Sequence, residues 1–112
     1  HAALSAETLK RNLLRTVRGL KQAGVSVLAQ TIPPFEYEGE RREIWLQVNE
    51  WIRETLAREA DAVFDNVPVL GRSAEEPFYS RYGGHPDERG CAAWAEALEP
   101  VARRFLESVT KD

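Results

Sequence analysis

The run Val25-Ser26-Val27-Leu28-Ala29-Gln30 constrains the fold most. It is short, apolar and β-branched, which suits a buried strand. Long stretches of helical periodicity lie on both sides of it. Before it, Leu9, Leu13, Val17 and Leu20 form one apolar stripe, predicting a helix near residues 5–23. Ser5 is placed to cap that helix, Leu4 and Leu9 have the spacing of a hydrophobic staple, and Gly24 is the expected residue just past its end. Gly19 is the awkward residue inside it. After the strand, Thr31-Ile32-Pro33-Pro34-Phe35 cannot continue a ladder, because proline lacks an amide proton.

The pattern then repeats. Residues 36–40 read as a polar loop. Ile44, Val48, Trp51, Ile52, Thr55 and Leu56 predict a second helix over about 41–59. Ala62 to Phe64 is a second short strand, closed by Asp65, and residues 66–84 read as irregular, with Pro68, Gly71, Pro77, Gly83 and Gly84. Asp87 is a candidate cap, with Glu88 near the positive end, for a third helix over 88–109. Trp94, Leu98, Val101, Phe105 and Val109 supply its expected buried face, and Pro100 should bend it.

Helix, strand, helix, strand, helix is an α/β crossover unit with parallel strands. Two short parallel strands under three apolar helices leave unpaired sheet edges, and parallel sheets need more neighbours than that. Residues 1–112 therefore read as a single α/β segment of a doubly wound sheet. Strands from an upstream segment, a separate chain or a symmetry mate are expected to complete it.

Composition narrows the function. A net charge of −3 argues against a nucleic-acid footprint. The one cysteine, Cys91, excludes an intrachain disulfide and a cysteine-cluster metal site; its place on the apolar side of the third helix predicts a buried, inert thiol. No apolar run reaches membrane-spanning length. No cofactor is implied. His1, at the terminus, is given no role.

The chemistry-bearing stretch is Tyr82-Gly83-Gly84-His85-Pro86-Asp87-Glu88-Arg89-Gly90. A histidine on a glycine-rich loop before a packed helix can be aimed and held, and its pKa suits proton transfer near neutrality. The same pattern also fits a polar histidine on a surface turn. As a metal ligand His85 has no second histidine or cysteine at ligand spacing. Trp45, Trp51 and Trp94 lie among apolar neighbours at helical spacing and read as core. Phe35, Tyr37, Phe78 and Tyr79 fall in the two long loops after the strands, where they could line an acyl or alcohol pocket or simply pack.

The order Gly-His-Pro-x-x-x-Gly, a small residue, then an apolar residue before Ala-Glu-Ala resembles the last block of the SGNH (GDSL-type) ester hydrolases. Val25 to Phe35 resembles that family's fourth core strand and following loop. Val48-Asn49-Glu50-Trp51-Ile52-Arg53 and Ala60-Asp61-Ala62-Val63-Phe64-Asp65 resemble the next helix and strand. The resemblance runs over nearly the whole chain. It implies a partial flavodoxin-like, three-layer sandwich, the C-terminal half of a serine esterase or lipase acting on carboxylic esters.

By position, the resemblance makes His85 the general base. The family's nucleophile block, Gly-Asp-Ser, and its oxyanion-hole glycine and asparagine lie upstream of the matching region. None of Ser5, Ser26, Ser73, Ser80 and Ser108 has a Gly-Asp-Ser setting, so this chain alone is expected to be inactive. The family's orienting acid lies three residues before the histidine, where this chain has Tyr82. A phenol carries no charge to stabilise imidazolium. The acid then comes from elsewhere, with Asp87, Glu75 and Glu76 nearby in sequence, or a carbonyl orients His85, or the site is weak. A non-catalytic α/β binding module and one subunit of a split protein are the competing readings.

Overall fold

The computed structural model describes residues 5–35, 37–71, 80–82 and 85–110, with side chains omitted for 80–82 and 85–86. Helix α1 spans Ala6–Gln22 and strand β1 Leu28–Gln30. Helix α2 (Gly39–Trp51) runs without a break into a π turn (Ile52–Leu56) and a last short helix, α3 (Ala57–Glu59). Strand β2 (Ala62–Phe64), a short helix α4 (Val67–Leu70), strands β3 (Ser80–Tyr82) and β4 (His85–Pro86), and helix α5 (Glu88–Val109) follow. The fold is mixed α/β and mostly helical, around a two-stranded parallel sheet.

The caps are where local chemistry puts them. Ser5 accepts the amide of Thr8 at 3.1 Å, and Asp87 accepts that of Gly90 at 2.9 Å, each satisfying a donor that the helix start leaves open. Gly24 takes φ +84°, the left-handed conformation that ends α1. The staple partner Leu4 lies outside the described residues.

β1 and β2 pair in parallel, with Leu28 opposite Ala62, Ala29 opposite Val63 and Gln30 opposite Phe64. Side chains alternate across a strand, so each face of this sheet is set by its register. Ala29 and Val63 turn to the face covered by α1, α2 and the π turn, where Val17, Val27, Val48, Ile52 and Leu56 form the buried core. Gln30 turns to the opposite face and meets Trp94 of α5. Helices thus cover both faces. Burying side chains the size of Ile52, Leu56 or Val48 stabilises by roughly 1.5–3 kcal/mol each.

The ladder is shorter than the apolar run. Val25 and Ser26 are exposed, and β1 begins at Leu28. Just ahead of it, Asp61 takes the place of a strand partner. Its carboxylate accepts the Val27 amide at 2.7 Å, while the Asp61 and Ala62 amides both donate to the Val27 carbonyl.

Several expectations change. Leu20, Val109 and Thr55 are exposed, not buried. Leu20 and Val109 sit in the last turns of their helices, beyond the reach of the small sheet. Thr55 is turned out because the wider π turn keeps Val48, Ile52 and Leu56 in line at steps of four. Cys91 is exposed, because α5 buries only Gly90 fully and leaves its apolar stripe half covered. The stretch expected to be irregular contains α4 and strand β3, which pairs antiparallel with β4 just beyond it. Pro68 in the first turn of α4 removes only an amide that has no helical partner there.

Candidate functional site

In open α/β sheets, ligands bind beyond the carboxyl ends of the strands. Here β1 runs out at Gln30 and β2 at Phe64. The residues that follow, Thr31 and Asp65-Asn66, are locked together. The Thr31 amide still donates to the Phe64 carbonyl at 3.2 Å. Its hydroxyl accepts the Asn66 amide at 3.0 Å and lies 3.0 Å from Asp65 Oδ1 and 3.1 Å from Asn66 Oδ1. One hydroxyl proton serves one of these two acceptors at a time. The Asn66 side-chain amide donates to the Thr31 carbonyl at 2.9 Å and to Gln30 Oε1 at 3.2 Å. Thr31 and Asn66 are almost wholly buried, so each of these bonds replaces one to water.

Asp65 is saturated in the same network. Arg53 Nε donates to Oδ2 at 2.7 Å, and the Val67 amide donates to Oδ1 at 3.1 Å. Burial pushes this carboxyl up, but the Arg53 guanidinium, the Val67 amide and the Thr31 hydroxyl outweigh it and hold it below its ordinary value. Asp65 is therefore an ionised structural bracket. The π turn of the second helical stretch carries Arg53 into this position.

Gln30 ties the strand end to the third helix. Its Oε1 accepts the indole N–H of Trp94 at 3.0 Å, so the second turn of α5 is fixed to the carboxyl end of β1. His85 and Pro86 form β4 directly before the Asp87 cap of that helix. Tyr82 and His85 are cross-strand partners in the β3–β4 register. The expected orientation of the imidazole, one ring nitrogen facing a cleft, lies outside what is described of that residue. So do Glu75, Glu76, Phe78, Tyr79, Gly83 and Gly84.

Two of the serines hold structure. Ser5 caps α1, and Ser108 bonds back to the Phe105 carbonyl within α5. Among the described residues, no group of His, Cys, Asp or Glu could hold a metal ion. No helix among them is long and apolar enough to cross a membrane.

A second feature lies on the other side of the β1 end. Asn49, 2% exposed, turns its side-chain amide onto the backbone of Ile32: the Ile32 amide donates to Oδ1 at 2.7 Å, and Nδ2 donates to the Ile32 carbonyl at 2.9 Å. The Trp45 indole N–H donates to that same carbonyl at 2.9 Å. This pinned loop borders a cavity of about 230 Å³ lined by Leu9, Ile32, Tyr37, Arg41, Ile44 and Trp45. Tyr37 packs edge-on to Phe35 and against Trp45, and burial pushes its phenol pKa up. Of the four loop aromatics, Tyr37 lines a cavity and Phe35 supports it from behind.

The side-chain work of Asn49, Asn66 and Gln30 was not anticipated from the sequence. The available signal was a polar residue on the buried stripe of a helix, Asn49 beside Val48. No protein-family model matches the chain, and no curated protein does.

Proposed function

We propose that this chain is the base-bearing half of a serine ester hydrolase of the SGNH type, with His85 as general base. The observation that carries the reading is positional. His85 leads into α5, whose second turn is bonded to the carboxyl end of β1, where an α/β sheet presents its ligand. Helices on both faces of a sheet only two strands wide support a larger, flavodoxin-like sandwich. In that arrangement the imidazole takes the proton of an upstream serine as the hydroxyl attacks the ester carbonyl, then returns it to the leaving alkoxide. The second imidazole nitrogen needs an acceptor, and the family's acid position holds Tyr82, across the β3–β4 pair from His85.

The test is p-nitrophenol release from short acyl esters by the chain joined to its upstream half. His85→Ala should abolish turnover. Tyr82→Asp should raise kcat, since loss of the orienting carboxylate costs up to roughly ten-thousand-fold in serine proteases. No turnover by the completed protein, or a rate indifferent to His85→Ala, removes the hydrolase reading. Tyr82 in the acid's position favours a second reading, a binding module that keeps the architecture without the chemistry. Saturable carbohydrate or protein binding without turnover would establish it.

A further inference from the structure

We propose that the cavity between the amino-terminal ends of α1 and α2 binds a short amphipathic carboxylate, independently of any hydrolase chemistry. The walls set the apolar part. Leu9, Ile32 and Ile44 are aliphatic, and the rings of Tyr37 and Trp45 add two flat surfaces. A volume of about 230 Å³ leaves room for a short alkyl chain with a small head group.

The charge of the ligand follows from its surroundings. Among the described residues, Arg41 is the only charged one lining the cavity, and no carboxylate pairs with it. It sits in the first turn of α2 beside Glu40, which does not line the cavity; Glu38 makes no side-chain cap bond to the open amides there, and the helix dipole adds positive potential. Tyr37, its phenol pushed up by burial, stays protonated at neutral pH and can donate to an anion.

The walls are also fixed in advance. Trp45 is held by the Ile32 carbonyl on its edge, by Tyr37, and by the Arg42 guanidinium 5.8 Å from its ring centre. Ile32 is itself clamped by Asn49. A ligand entering such a site meets little further ordering cost.

Hexanoate, 1-hexanol and hexylammonium, titrated into the 15N-labelled chain, decide the matter through the Trp45 indole resonance, assigned by its loss in Trp45→Phe. Hexanoate should shift that resonance saturably, 1-hexanol should bind more weakly, and hexylammonium should not bind. Arg41→Gln, which removes the charge at an exposed position and leaves the apolar walls in place, should weaken hexanoate about tenfold, the ordinary worth of a charge-assisted bond, and weaken 1-hexanol far less. Ile44→Trp, with an unaltered circular dichroism spectrum, should fill the cavity and remove both. Equal binding of hexanoate and 1-hexanol, or hexanoate affinity unchanged in Arg41→Gln, reduces the site to an apolar hollow and overturns the proposal. An unmoved Trp45 resonance at saturating hexanoate also overturns it.

Discussion

Replacing Asn49 with alanine tests how the end of β1 is held. The side-chain amide makes two bonds to the Ile32 backbone, and their loss has unequal consequences. The Ile32 carbonyl keeps the Trp45 indole N–H, so losing Nδ2 costs only the net value of one hydrogen bond, about 1 kcal/mol. The Ile32 amide has no other partner among the described residues. Leaving it unpaired near the core costs a further ~1–3 kcal/mol. Asn49→Ala should therefore destabilise by about 2–4 kcal/mol, a large share of the ~5–15 kcal/mol typical of a domain. Urea unfolding followed by tryptophan fluorescence, at low protein concentration and with an unchanged slope, reads the difference. Trp45→Phe alone should lose about 1 kcal/mol of hydrogen bonding beyond its packing. The double variant should lose more than the sum, because the carbonyl then has neither donor. A cost below about 1 kcal/mol for Asn49→Ala, or strict additivity in the double variant, would refute the clamp.

Two further outcomes follow from the same geometry. Gly24→Ala should destabilise by about 1–2 kcal/mol: a β-carbon there meets nothing within 4 Å, so φ +84° is the whole penalty, and a neutral result in the same urea assay would mean that the turn relaxes freely. Asp61 is held below its ordinary 3.8 by Lys21 and the Val27 amide, so the stability it contributes is present above pH 3.8 and is lost as pH falls through the lowered value. Asp61→Asn should flatten that acid limb relative to the wild-type chain, and identical limbs would remove Asp61 as a linked group.

The sequence by itself determined the long helical stretches, the two short strands between them and their order. Ser5, Gly24 and Asp87 mark helix ends because capping and left-handed backbone are decisions of one or two residues. The stripes through Val17, Val48, Ile52 and Leu56 were readable from their period, and the strands from the short apolar runs at Val25–Gln30, of which only Leu28–Gln30 joins the ladder, and Ala62–Phe64. What only the tertiary structure decided was which residues in those patterns are covered. Leu20, Cys91 and Val109 belong to apolar stripes and yet are exposed, because burial depends on a neighbour's presence and not on the stripe itself. The π turn escaped the sequence reading for the same kind of reason: it keeps Val48, Ile52 and Leu56 in line against the core. α4 escaped it for another: four residues are too few to show a period, although the bonds of the Val67 amide to Asp65 and of the Leu70 amide to the Asn66 carbonyl are local. The bonds from Gln30 to Trp94, Asn49 to Ile32 and Thr31 to Asn66 span 17 to 64 residues, and no local periodicity encodes them. They set where the carboxyl ends of the strands stand against the helix that follows His85.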